Sequence, residues 1–413
     1  MQSEETSRIQ GKVVKVLALS QVLSGVGVAG TVAAGSLLVS SISNSETLAG
    51  LAQTTSVLGA AAMALPLSRL TQRGGRRLGL SIGYSAGLIG AILAVIGGSQ
   101  RILFMMLCGT FMLGAASAAG YQARFAAVDL ATSESRSRQL SFVVWGSTIG
   151  AVAGPNLMEP SGNFAEYIGL PRLVGPYSIA AISLMLVVIV IQLFLRPDPY
   201  LTAIHVRDIS KVHHPVLPVK QALALIRKNP SALFAIASIA IGHVAMVSVM
   251  SMTPIHMAHF DATLTIIGIV ISVHIAGMYA FSPVVGFLSD KIGRVRVIQG
   301  GIIILLLSSL VSGTASPHDS ARLGLGLFLL GLGWSCTLIA GSALLSESVE
   351  SHLRPSSQGA SDLVMNLMGA GGGALAGVII GTLGYGWLCL FAAIPVALLG
   401  GWSLKIDSKV RVA

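Results

Sequence analysis

The sequence predicts an all-α polytopic membrane protein of twelve transmembrane helices, arranged as two pseudo-symmetric bundles of six. Three observations lead to this fold class. Of the 413 residues, 53% are hydrophobic and only 10% are charged, whereas an ordinary soluble protein has about 25% charged residues. About twelve apolar stretches approach the roughly 20 residues that a helix needs to cross a bilayer. Loop sequences of the first half also recur in the second. This composition excludes soluble enzymes, disordered chains and nucleic-acid modules.

The predicted spans divide evenly between the two halves of the chain. In the first half they centre near Gly27, Val57, Leu88, Thr110, Ser147 and Leu186. In the second half they centre near Ala240, Ser272, Leu305, Gly331, Gly371 and Ala393. The longest polar stretch between them is rich in proline. We therefore expect an N-terminal bundle over residues 1–196, a cytoplasmic linker over 197–229 and a C-terminal bundle over 230–413.

The orientation follows from the distribution of Lys and Arg, because the cytoplasmic loops of membrane proteins carry the excess of basic residues. If the loops are numbered from the N-terminus, only Arg101, Arg172 and Arg322 of the 26 basic residues lie on the side opposite to the termini. We therefore expect a multi-pass protein of the plasma (inner) membrane with both termini in the cytoplasm. This topology accounts for the formal charge of +10, so no nucleic-acid partner is expected.

Two inside loops of the first half recur in the second half at one offset. Arg76 corresponds to Arg294, and 294 minus 76 is 218. The same offset places Asp129 on Glu347 without a gap. One short loop can match by chance, but two loops at one offset indicate that a six-helix plan is used twice, as in many transporters.

The second-half copy of the first of these loops carries a known pattern, and we call residues 286–296 the second signature loop. Its sequence is Gly286-Phe-Leu-Ser-Asp290-Lys-Ile-Gly293-Arg294-Val-Arg296. This pattern resembles the signature loop of the major facilitator superfamily, Gly-x-Leu-Ala-Asp-Arg-x-Gly-Arg-Arg. The resemblance extends over the whole chain through the span count, the two halves and the linker. It implies the major facilitator fold and alternating-access transport.

Each residue type of the family pattern has a physical role that the second signature loop can fulfil. Gly286 and Gly293 permit a tight turn and a close backbone approach. Asp290 can cap the N-terminus of a helix of the opposite half, where the helix dipole favours a carboxylate. Arg294 and Arg296 can bridge to acids or helix ends. The resemblance implies a latch that holds the cytoplasmic gate shut, and the alternative is that these charges only set the topology.

The first-half copy, residues 68–77, departs from the pattern, and we call it the first signature loop. Gln72 occupies the Asp position and Ser68 occupies the Gly position. We therefore do not expect a carboxylate latch in this copy. The arginines of this loop are expected to fix the topology and nothing more: Arg69, Arg73, Arg76 and Arg77.

Two spans carry glycines at four-residue spacing. Gly146, Gly150 and Gly154 share one helical face and precede Pro155, which is expected to bend the helix; the stretch is similar to the Gly-Pro motif of the superfamily's exporters. The eleventh span has a matching series: Gly369, Gly373, Gly377 and Gly381. Small residues let helices approach closely in lipid. We expect packing surfaces that slide between the halves, and static packing is the alternative for the eleventh span.

Ionisable residues within spans are costly and are therefore functional candidates. Asp362 is the only acid that we place inside a span, while His243 and His274 lie near the middles of the seventh and eighth spans. Histidine titrates near pH 6.5, which suits proton coupling, although each could instead be a neutral ring bonded to a carbonyl. Arg124, at the inside end of the fourth span, is expected to reach the lipid headgroups or to pair with Asp362.

Other polar and aromatic residues within the spans are candidates for the lining of a substrate cavity, which is expected between the halves near the bilayer midplane. They are Gln21, Gln53, Tyr84, Trp145, Asn156, Trp334 and Asn366. Two features that the family's proton-coupled drug exporters usually carry are missing. Thr110 stands about where an arginine of the fourth span is expected, and the first span has no acid.

The sequence thus predicts a secondary active transporter that exports a small, fairly apolar molecule in exchange for protons. One alternative is an importer or facilitator of a sugar, nucleoside or vitamin, and a more distant one is a non-transporting membrane sensor or scaffold. The expected partners are a small-molecule substrate, protons and the lipid bilayer. We expect a monomer without enzymatic activity, catalytic residues, cofactor or metal.

Overall fold

The computed structural model describes residues 2–44, 48, 51–206, 227, 229–258, 264–316 and 318–410. Within these ranges every regular element is a helix. A helix satisfies its backbone hydrogen bonds internally, which an apolar bilayer requires of any segment that spans it. Of the predicted linker, residues 207–226 and 228 lie outside the described residues.

The helices of the first half are α1 Gln2–Ser43, α2 Leu51–Ser99, α3 Leu103–Ala126, α4 Arg136–Asn156, α5 Met158–Tyr167, α6 Gly175–Phe194 and α7 Pro199–Val206. Those of the second half are α8 Pro230–Ala258, α9 Leu264–Ile275, α10 Ser282–Ile292, α11 Arg294–Gly313, α12 Ser320–Ser348, α13 Arg354–Thr382 and α14 Tyr385–Val410. A short 3₁₀ turn, Arg172–Val174, precedes α6, and a π-helix, Ala276–Ala280, follows α9.

Among the described residues, ten helices are long and apolar enough to cross a membrane, and the bent pair Arg136–Gly154 and Met158–Tyr167 makes an eleventh span. Helix α2 has 49 residues, and an unbroken helix of that length would be about 74 Å long, more than twice the thickness of the hydrocarbon core. It is interrupted at Gly75, where φ is 85° and ψ is 176°. Counted on either side of Gly75, α2 supplies two spans, which gives the predicted twelve. The predicted all-α membrane fold class is confirmed.

The chain forms two compact units. Unit 1 comprises Met1–Ala131, Gly146–Val219 and Ser351–Leu363. Unit 2 comprises Thr132–Trp145, Lys220–Glu350 and Val364–Ala413. Residues 354–363 of α13 thus belong to unit 1, and residues 136–145 of α4 belong to unit 2. The predicted bundle boundaries, 1–196 and 230–413, stay a prediction.

Unit 1 is built around a close contact between α2 and α3. A Cβ added at Gly87 would lie 2.5 Å from the Cβ of Ala116, and one added at Gly97 would lie 2.6 Å from the backbone nitrogen of Met106. These glycines let the two helices meet backbone to backbone, which is how helices associate in lipid. These contacts hold α3 against α2, and the candidate site lies at the C-terminal end of α3.

Unit 2 uses the same device between α11 and α12. A Cβ at Gly301 would lie 2.7 Å from the Cβ of Cys336, and one at Gly333 would lie 2.7 Å from the Cγ of Leu305. Helix α10 ends at Ile292 and α11 begins at Arg294, and Gly293 between them has a φ of 101° and a ψ of 150°. The second signature loop is therefore a tight connection between two spans.

Candidate functional site

A buried ion pair lies at the break of α2 in unit 1. Arg76 follows Gly75 directly and is completely buried. Its Nε donates to Oδ2 of Asp129 at 2.7 Å, and its Nη2 donates to Oδ1 at 3.1 Å. Nη2 also donates to Oε1 of Gln358 at 2.7 Å, and Nη1 donates to Oε1 of Gln122 at 3.3 Å. Two-point pairs of this kind are strong and directional, so Arg76 joins α2, α3 and α13.

Gln122 connects this ion pair to a second one. Its Nε2 donates to Oδ2 of Asp362 at 2.9 Å, and Nη2 of Arg124 donates to Oδ1 of the same carboxylate at 2.6 Å. Both ion pairs and the two glutamines belong to unit 1. We call the six residues the charge network: Arg76, Gln122, Arg124, Asp129, Gln358 and Asp362.

The charge network is sealed from solvent and electrically neutral. Each of its six side chains belongs to a residue that is at most 2% exposed, and two arginines balance two aspartates. Aromatic rings flank the guanidinium groups: Tyr200 lies 5.9 Å from Arg76, and Phe125 lies 4.7 Å from Arg124. Buried charges are tolerable only while they are paired. The network is therefore stable only while both aspartates are ionised.

Arg124 does not extend toward the headgroups in this structure. It is 2% exposed, and it pairs with Asp362. Of the two outcomes left open by the sequence, pairing is the one observed, because Asp362 and Gln122 offer a polar partner deep in the unit. If Asp362 took up a proton, Arg124 would remain buried without its anion, which is energetically costly.

The second signature loop places Asp290 at the N-terminus of α4, in unit 2. Its Oδ1 accepts a hydrogen bond from the backbone N–H of Ser137 at 2.9 Å, and its Oδ2 accepts one from that of Arg138 at 2.8 Å. The hydroxyls of Ser137 and Ser289 lie 2.9 Å apart. The carboxylate thus caps the first turn of α4, where the dipole favours a negative charge. A Cβ at Gly286 would overlap Ser141, so only glycine fits there.

Arg294 extends this cluster to a second acid. It lies 2.8 Å from Oε1 of Glu347 and 3.1 Å from Oδ1 of Asp290, and it also donates to the carbonyl of Ser133. Arg136 reaches the same Glu347 oxygen at 3.3 Å. Arg296 is exposed, and among the described residues it forms no ion pair. The cluster holds the inner ends of α4, α10, α11 and α12 together.

The first signature loop replaces both missing residue types with neutral contacts. Nε2 of Gln72 donates to Oγ of Ser356 at 2.6 Å, at the first turn of α13. Ser68 packs on Gly359, where an added Cβ would lie 2.5 Å from the Cβ of Ser68. Gly359 corresponds to Ser141 at the offset of 218. In unit 2 the signature loop carries the glycine, Gly286, and its neighbour carries the serine, Ser141. In unit 1 the loop carries the serine, Ser68, and its neighbour carries the glycine, Gly359.

The prediction that Arg76 only fixes topology is wrong. Arg76 is completely buried and holds the charge network together. The expectation overlooked the acid that the repeat itself supplies, because Asp129 corresponds to Glu347 just as Arg76 corresponds to Arg294. Arg69 and Arg73 are exposed and Arg77 is half-buried.

The glycine face of α4 packs on α1 within unit 1. An added Cβ would lie 2.7 Å from the Ala18 carbonyl oxygen for Gly146, 2.5 Å from the Gly25 Cα for Gly150 and 2.6 Å from the Ala29 Cβ for Gly154. The helix axis turns by 54° between Arg136–Gly154 and Met158–Tyr167, at the position of Pro155. The face joins two helices of one unit, so this contact is not the expected sliding surface between halves.

The glycines of α13 behave differently from one another. A Cβ at Gly369 would lie 2.7 Å from the imidazole of His243, and one at Gly373 would lie 3.5 Å from Val247. Gly377 and Gly381 have open space where a side chain would be. The four-residue series is thus a packing surface only at its inner end, against α8. The expected close approach along its whole length is not present.

His243 belongs to an aromatic cluster of unit 2. Nε1 of Trp334 donates to Nδ1 of His243 at 3.2 Å, and the ring of Tyr279 stands edge-on to Trp334 at 5.7 Å. A ring nitrogen that accepts a hydrogen bond carries no proton, so His243 is neutral in this arrangement. Asn366 is also buried in unit 2.

His274 is completely buried, and its Nδ1 lies 2.8 Å from the carbonyl oxygen of Leu327. Among the described residues, its Nε2 has no hydrogen-bond partner. Because a carbonyl only accepts, Nδ1 carries a proton and donates it to Leu327. This geometry matches the alternative of a neutral ring bonded to a carbonyl.

The remaining cavity candidates fall into two groups. In unit 1, Tyr84 donates to Oε1 of Gln21 at 3.3 Å, and Nε2 of Gln21 donates to Ser147 at 3.3 Å. Gln53, Trp145 and Asn156 are exposed. Asn156 donates to the carbonyl of Val152 in its own helix at 2.6 Å.

The functional candidates that sequence reasoning missed are Gln122 and Gln358. Uncharged side chains give no signal in a charge count, although Gln358 and Asp362 are four residues apart and therefore share a face of α13. Elsewhere, no group of three or more His, Cys, Asp or Glu side chains among the described residues is arranged to hold a metal ion.

Comparison with known proteins gives a consistent result. The model of the Major Facilitator Superfamily matches residues 17–261 and 246–412. The uncharacterised MFS-type transporter YdeG of Bacillus subtilis is 35% identical over 96% of this chain and 92% of its own length. The riboflavin transporter RfnT of Brucella anthropi is 24% identical over 85% of this chain and 84% of its own length.

Solved structures show the same architecture. The proton:xylose symporter XylE matches with a TM-score of 0.76 at 14% identity, and the match covers 97% of this chain and 96% of the other. At this identity the likeness establishes the fold alone.

Proposed function

This chain belongs to the major facilitator superfamily, and we propose that it is a secondary active transporter that exports a small, fairly apolar molecule in exchange for protons. Transport of a small molecule across a membrane is the work of the family. The direction, the coupling to protons and the class of substrate are the proposal. Asp362 is the proposed proton carrier.

The observation that carries the proposal is the buried carboxylate of Asp362. It lies within α13, is 1% exposed and depends on Arg124 for its counter-charge. An ionisable group at such a position is costly and typical of proton relays in transporters. Protonation cancels the charge of Asp362 and weakens its hold on α3, so the inner end of α13 is released when a proton binds.

The second signature loop supplies the proposed latch. Asp290 caps α4 through the backbone N–H groups of Ser137 and Arg138, and Arg294 reinforces it through Glu347. Breaking these bonds frees the inner end of α4 from α10. Because Glu347 is 26% exposed, whereas no residue of the charge network is more than 2% exposed, this latch opens and closes at a lower energetic cost than the charge network.

Two observations support export of an apolar substrate. Gly146, Gly150 and Gly154 belong to the stretch that is similar to the Gly-Pro motif of the superfamily's exporters, and all three pack closely on α1. The polar groups that could meet a substrate are uncharged or aromatic, such as Gln21, Tyr84 and Trp334. Ionic substrates would require buried counter-charges, and the described charges of the spans are engaged in the network.

The test is the accumulation of a panel of lipophilic dyes and antibiotics in an export-deficient bacterial host. Cells with and without the protein are compared, each with and without a protonophore. We expect lower accumulation in cells that make the protein, and we expect the protonophore to abolish this difference. Equal accumulation for every probe would refute broad export of apolar compounds.

The variant Asp362→Asn tests the proton carrier. It keeps the shape and hydrogen-bonding capacity of the protonated acid, so we expect export to lose its dependence on the proton gradient. The matched control is Asp319→Asn, because Asp319 caps α12 by accepting from the N–H of Arg322 and is not part of the network. An unchanged pH profile in Asp362→Asn would assign coupling to another group.

A second candidate function is import of a vitamin, which the match to the riboflavin transporter RfnT favours. Radiolabelled riboflavin uptake by a riboflavin-auxotrophic host would test it directly. Uptake that depends on this protein would replace the export proposal. Absence of both uptake and export would instead favour a membrane sensor or scaffold.

We propose a monomer in the plasma (inner) membrane with both termini in the cytoplasm, built from bundles over residues 1–196 and 230–413. The distribution of basic residues supports this orientation. Reporter fusions at each terminus, one active only in the cytoplasm and one active only outside it, would test it. A periplasmic signal at either end would contradict the orientation.

A further inference from the structure

We infer that Gln122 is a positioning residue that transmits the protonation state of Asp362 to the first signature loop. The inference rests on the proposed function, in which Asp362 carries the proton, and adds the route by which that proton acts. Gln122 contacts both ion pairs of the charge network: it accepts from Arg76 at 3.3 Å and donates to Asp362 at 2.9 Å.

The two ends of an amide are not interchangeable, and this gives the connection its direction. The amide oxygen can only accept, and the amide nitrogen can only donate. Arg76 is a permanent donor, so it holds the oxygen of Gln122 and leaves the nitrogen aimed at Asp362. An ionised Asp362 completes the arrangement. A protonated Asp362 is a poorer acceptor and presents a donor of its own, so the amide loses the partner that fixed its orientation.

Reorientation of Gln122 acts directly on Arg76. At Nη1 the guanidinium would exchange the amide oxygen for the amide nitrogen, which cannot accept from it. Arg76 is completely buried, and a buried donor without a partner is costly. Arg76 also follows Gly75 at the helix break, and the backbone N–H of Arg77 donates to Asp198 at 2.7 Å. A shift of Arg76 therefore moves the loop itself.

The charged and titratable groups around Asp362 allow this assignment. Arg76 approaches from α2, Arg124 and Tyr121 approach from α3, and Tyr200 of α7 covers Arg76. Asp129, in the turn after α3, is held at both oxygens by Arg76. Arginine keeps its proton at all relevant pH values. The charge of the other acid, Asp362, is stabilised by the guanidinium of Arg124 and by the amide of Gln122.

The repeat supplies an internal comparison. At the offset of 218, Gln122 corresponds to Ala340 and Asp362 corresponds to Val144. The second signature loop keeps the arginine–acid pair, but the positions of the glutamine and of the acid within a span are held by Ala340 and Val144, so this route is missing there. A connector that is present only in the copy with a buried acid is consistent with a role in signalling rather than in loop structure.

The experiment measures the two ends of the connection separately and needs no substrate. A spin label on Arg73→Cys, an exposed position of the first signature loop, reports the mobility of the loop. The three native cysteines, Cys108, Cys336 and Cys389, are replaced in this background. Infrared difference spectra follow the carbonyl band of a protonated carboxylic acid, and its absence from Asp362→Asn assigns that band.

In the parent protein, label mobility and the Asp362 band should change together as the pH falls from about 9 to about 5. We expect the ratio of mobile to immobile label to rise on the order of fivefold. Gln122→Met, which has similar volume but no amide, should keep the infrared titration and lose the change in mobility. The matched control Gln10→Met removes another buried glutamine, which donates to the carbonyl of Ala127 at 2.6 Å, and should behave like the parent.

An unchanged mobility response in Gln122→Met would overturn the inference while leaving the proton carrier in place. If Asp362 does not titrate in the parent, both the carrier and the inference fail. Gln122→Asn serves if the Met variant does not fold, because its shorter side chain keeps the amide but cannot span both partners. It should show the same separation of the two signals.

Discussion

Arg76 and Arg294 occupy corresponding positions, yet their surroundings differ in almost every physical respect. Each follows a glycine with positive φ, 85° at Gly75 and 101° at Gly293, and each pairs with the acid at the matching position. The side chains of Arg76 and Asp129 are 0% and 2% exposed, whereas those of Arg294 and Glu347 are 9% and 26% exposed. One backbone design therefore supports a sealed charge network in unit 1 and a partly exposed cluster in unit 2.

The difference arises from a few positions around a common frame. Residues of unit 1 that extend the ion pair into the interior correspond to small or apolar residues in unit 2. The pairs are Gln122 and Ala340, Arg124 and Ser342, Gln358 and Leu140, and Asp362 and Val144. The shared arginine–acid pair belongs to the fold, and the additional polar residues point to a function that only one copy performs.

The largest expected effect comes from removing the acid of each pair. Asp129→Asn leaves Arg76 buried without a counter-charge, and we expect a loss of about 3–5 kcal/mol. Glu347→Gln leaves Arg294 paired with Asp290, and the lost carboxylate is itself 26% exposed, so the loss should be at most about 1 kcal/mol. Thermal unfolding in detergent compares the two variants. Equal losses would contradict the electrostatic difference between the loops.

Alanine at the two loop glycines should give the next largest effect. Both backbones lie in a region that only glycine adopts readily, at a cost of about 1–3 kcal/mol for another residue. Gly75→Ala should be the more damaging, because its Cβ would lie 2.5 Å from Cγ of Asp198, whereas Gly293 has free space. Unfolding temperatures of the two variants, with Gly300→Ala as a control that meets no neighbour, test this order.

Exchange of Ser68 and Gly359 tests whether the contact in unit 1 is equivalent to the contact between Gly286 and Ser141 in unit 2. Gly359→Ser should clash with Ser68 and cost about 1–3 kcal/mol. Adding Ser68→Gly should recover most of this loss, since the pair then has the arrangement of Gly286 and Ser141. A double-mutant cycle of unfolding free energies measures the recovery. If the changes in unfolding free energy of the two single variants simply added up in the double variant, the two side chains would not be in contact with each other.

The smallest effect is expected for Gln72→Asp, which restores the residue type of the family pattern. Asp290 uses the N–H groups of two consecutive residues, Ser137 and Arg138. The corresponding residues of α13 are Pro355 and Ser356, and proline has no N–H to donate. The change should therefore be within about 0.5 kcal/mol. A clear gain in unfolding temperature would show that the neutral contact is not an adaptation to Pro355.

Adding Pro355→Ser to Gln72→Asp sharpens this test. The second N–H then becomes available, and a full cap is worth about 1 kcal/mol. Pro355→Ser alone is the control for the effect of proline on the first turn of α13.

The fold class, the spans and the family were predictable because they depend on composition and on short local patterns. The second signature loop was predictable for the same reason, since Asp290 and Arg294 are part of a recognisable motif. The break at Gly75 also follows from the repeat, because Gly293 occupies the same position. These features require no knowledge of which distant residues meet.

The charge network was not predictable in this way. Pairing of Arg124 with Asp362 was one of the two expected outcomes, but the sequence does not indicate that Arg76 and Asp129 of the repeat join the same network. Gln122 and Gln358 carry no charge and have no motif. Conversely, the spacing of Gly377 and Gly381 suggests close packing that the structure does not form, because a small residue permits a contact without requiring one.

The pairing of Arg124 with Asp362 has a consequence for biogenesis. The two residues are 238 positions apart, so at about 5–20 residues per second the ribosome needs roughly 10–50 s to make the second after the first. During that interval the cation of α3 has been inserted and its anion has not been synthesised. Arg124 then has to reach the lipid headgroups, and it enters the interior of its unit only when α13 arrives.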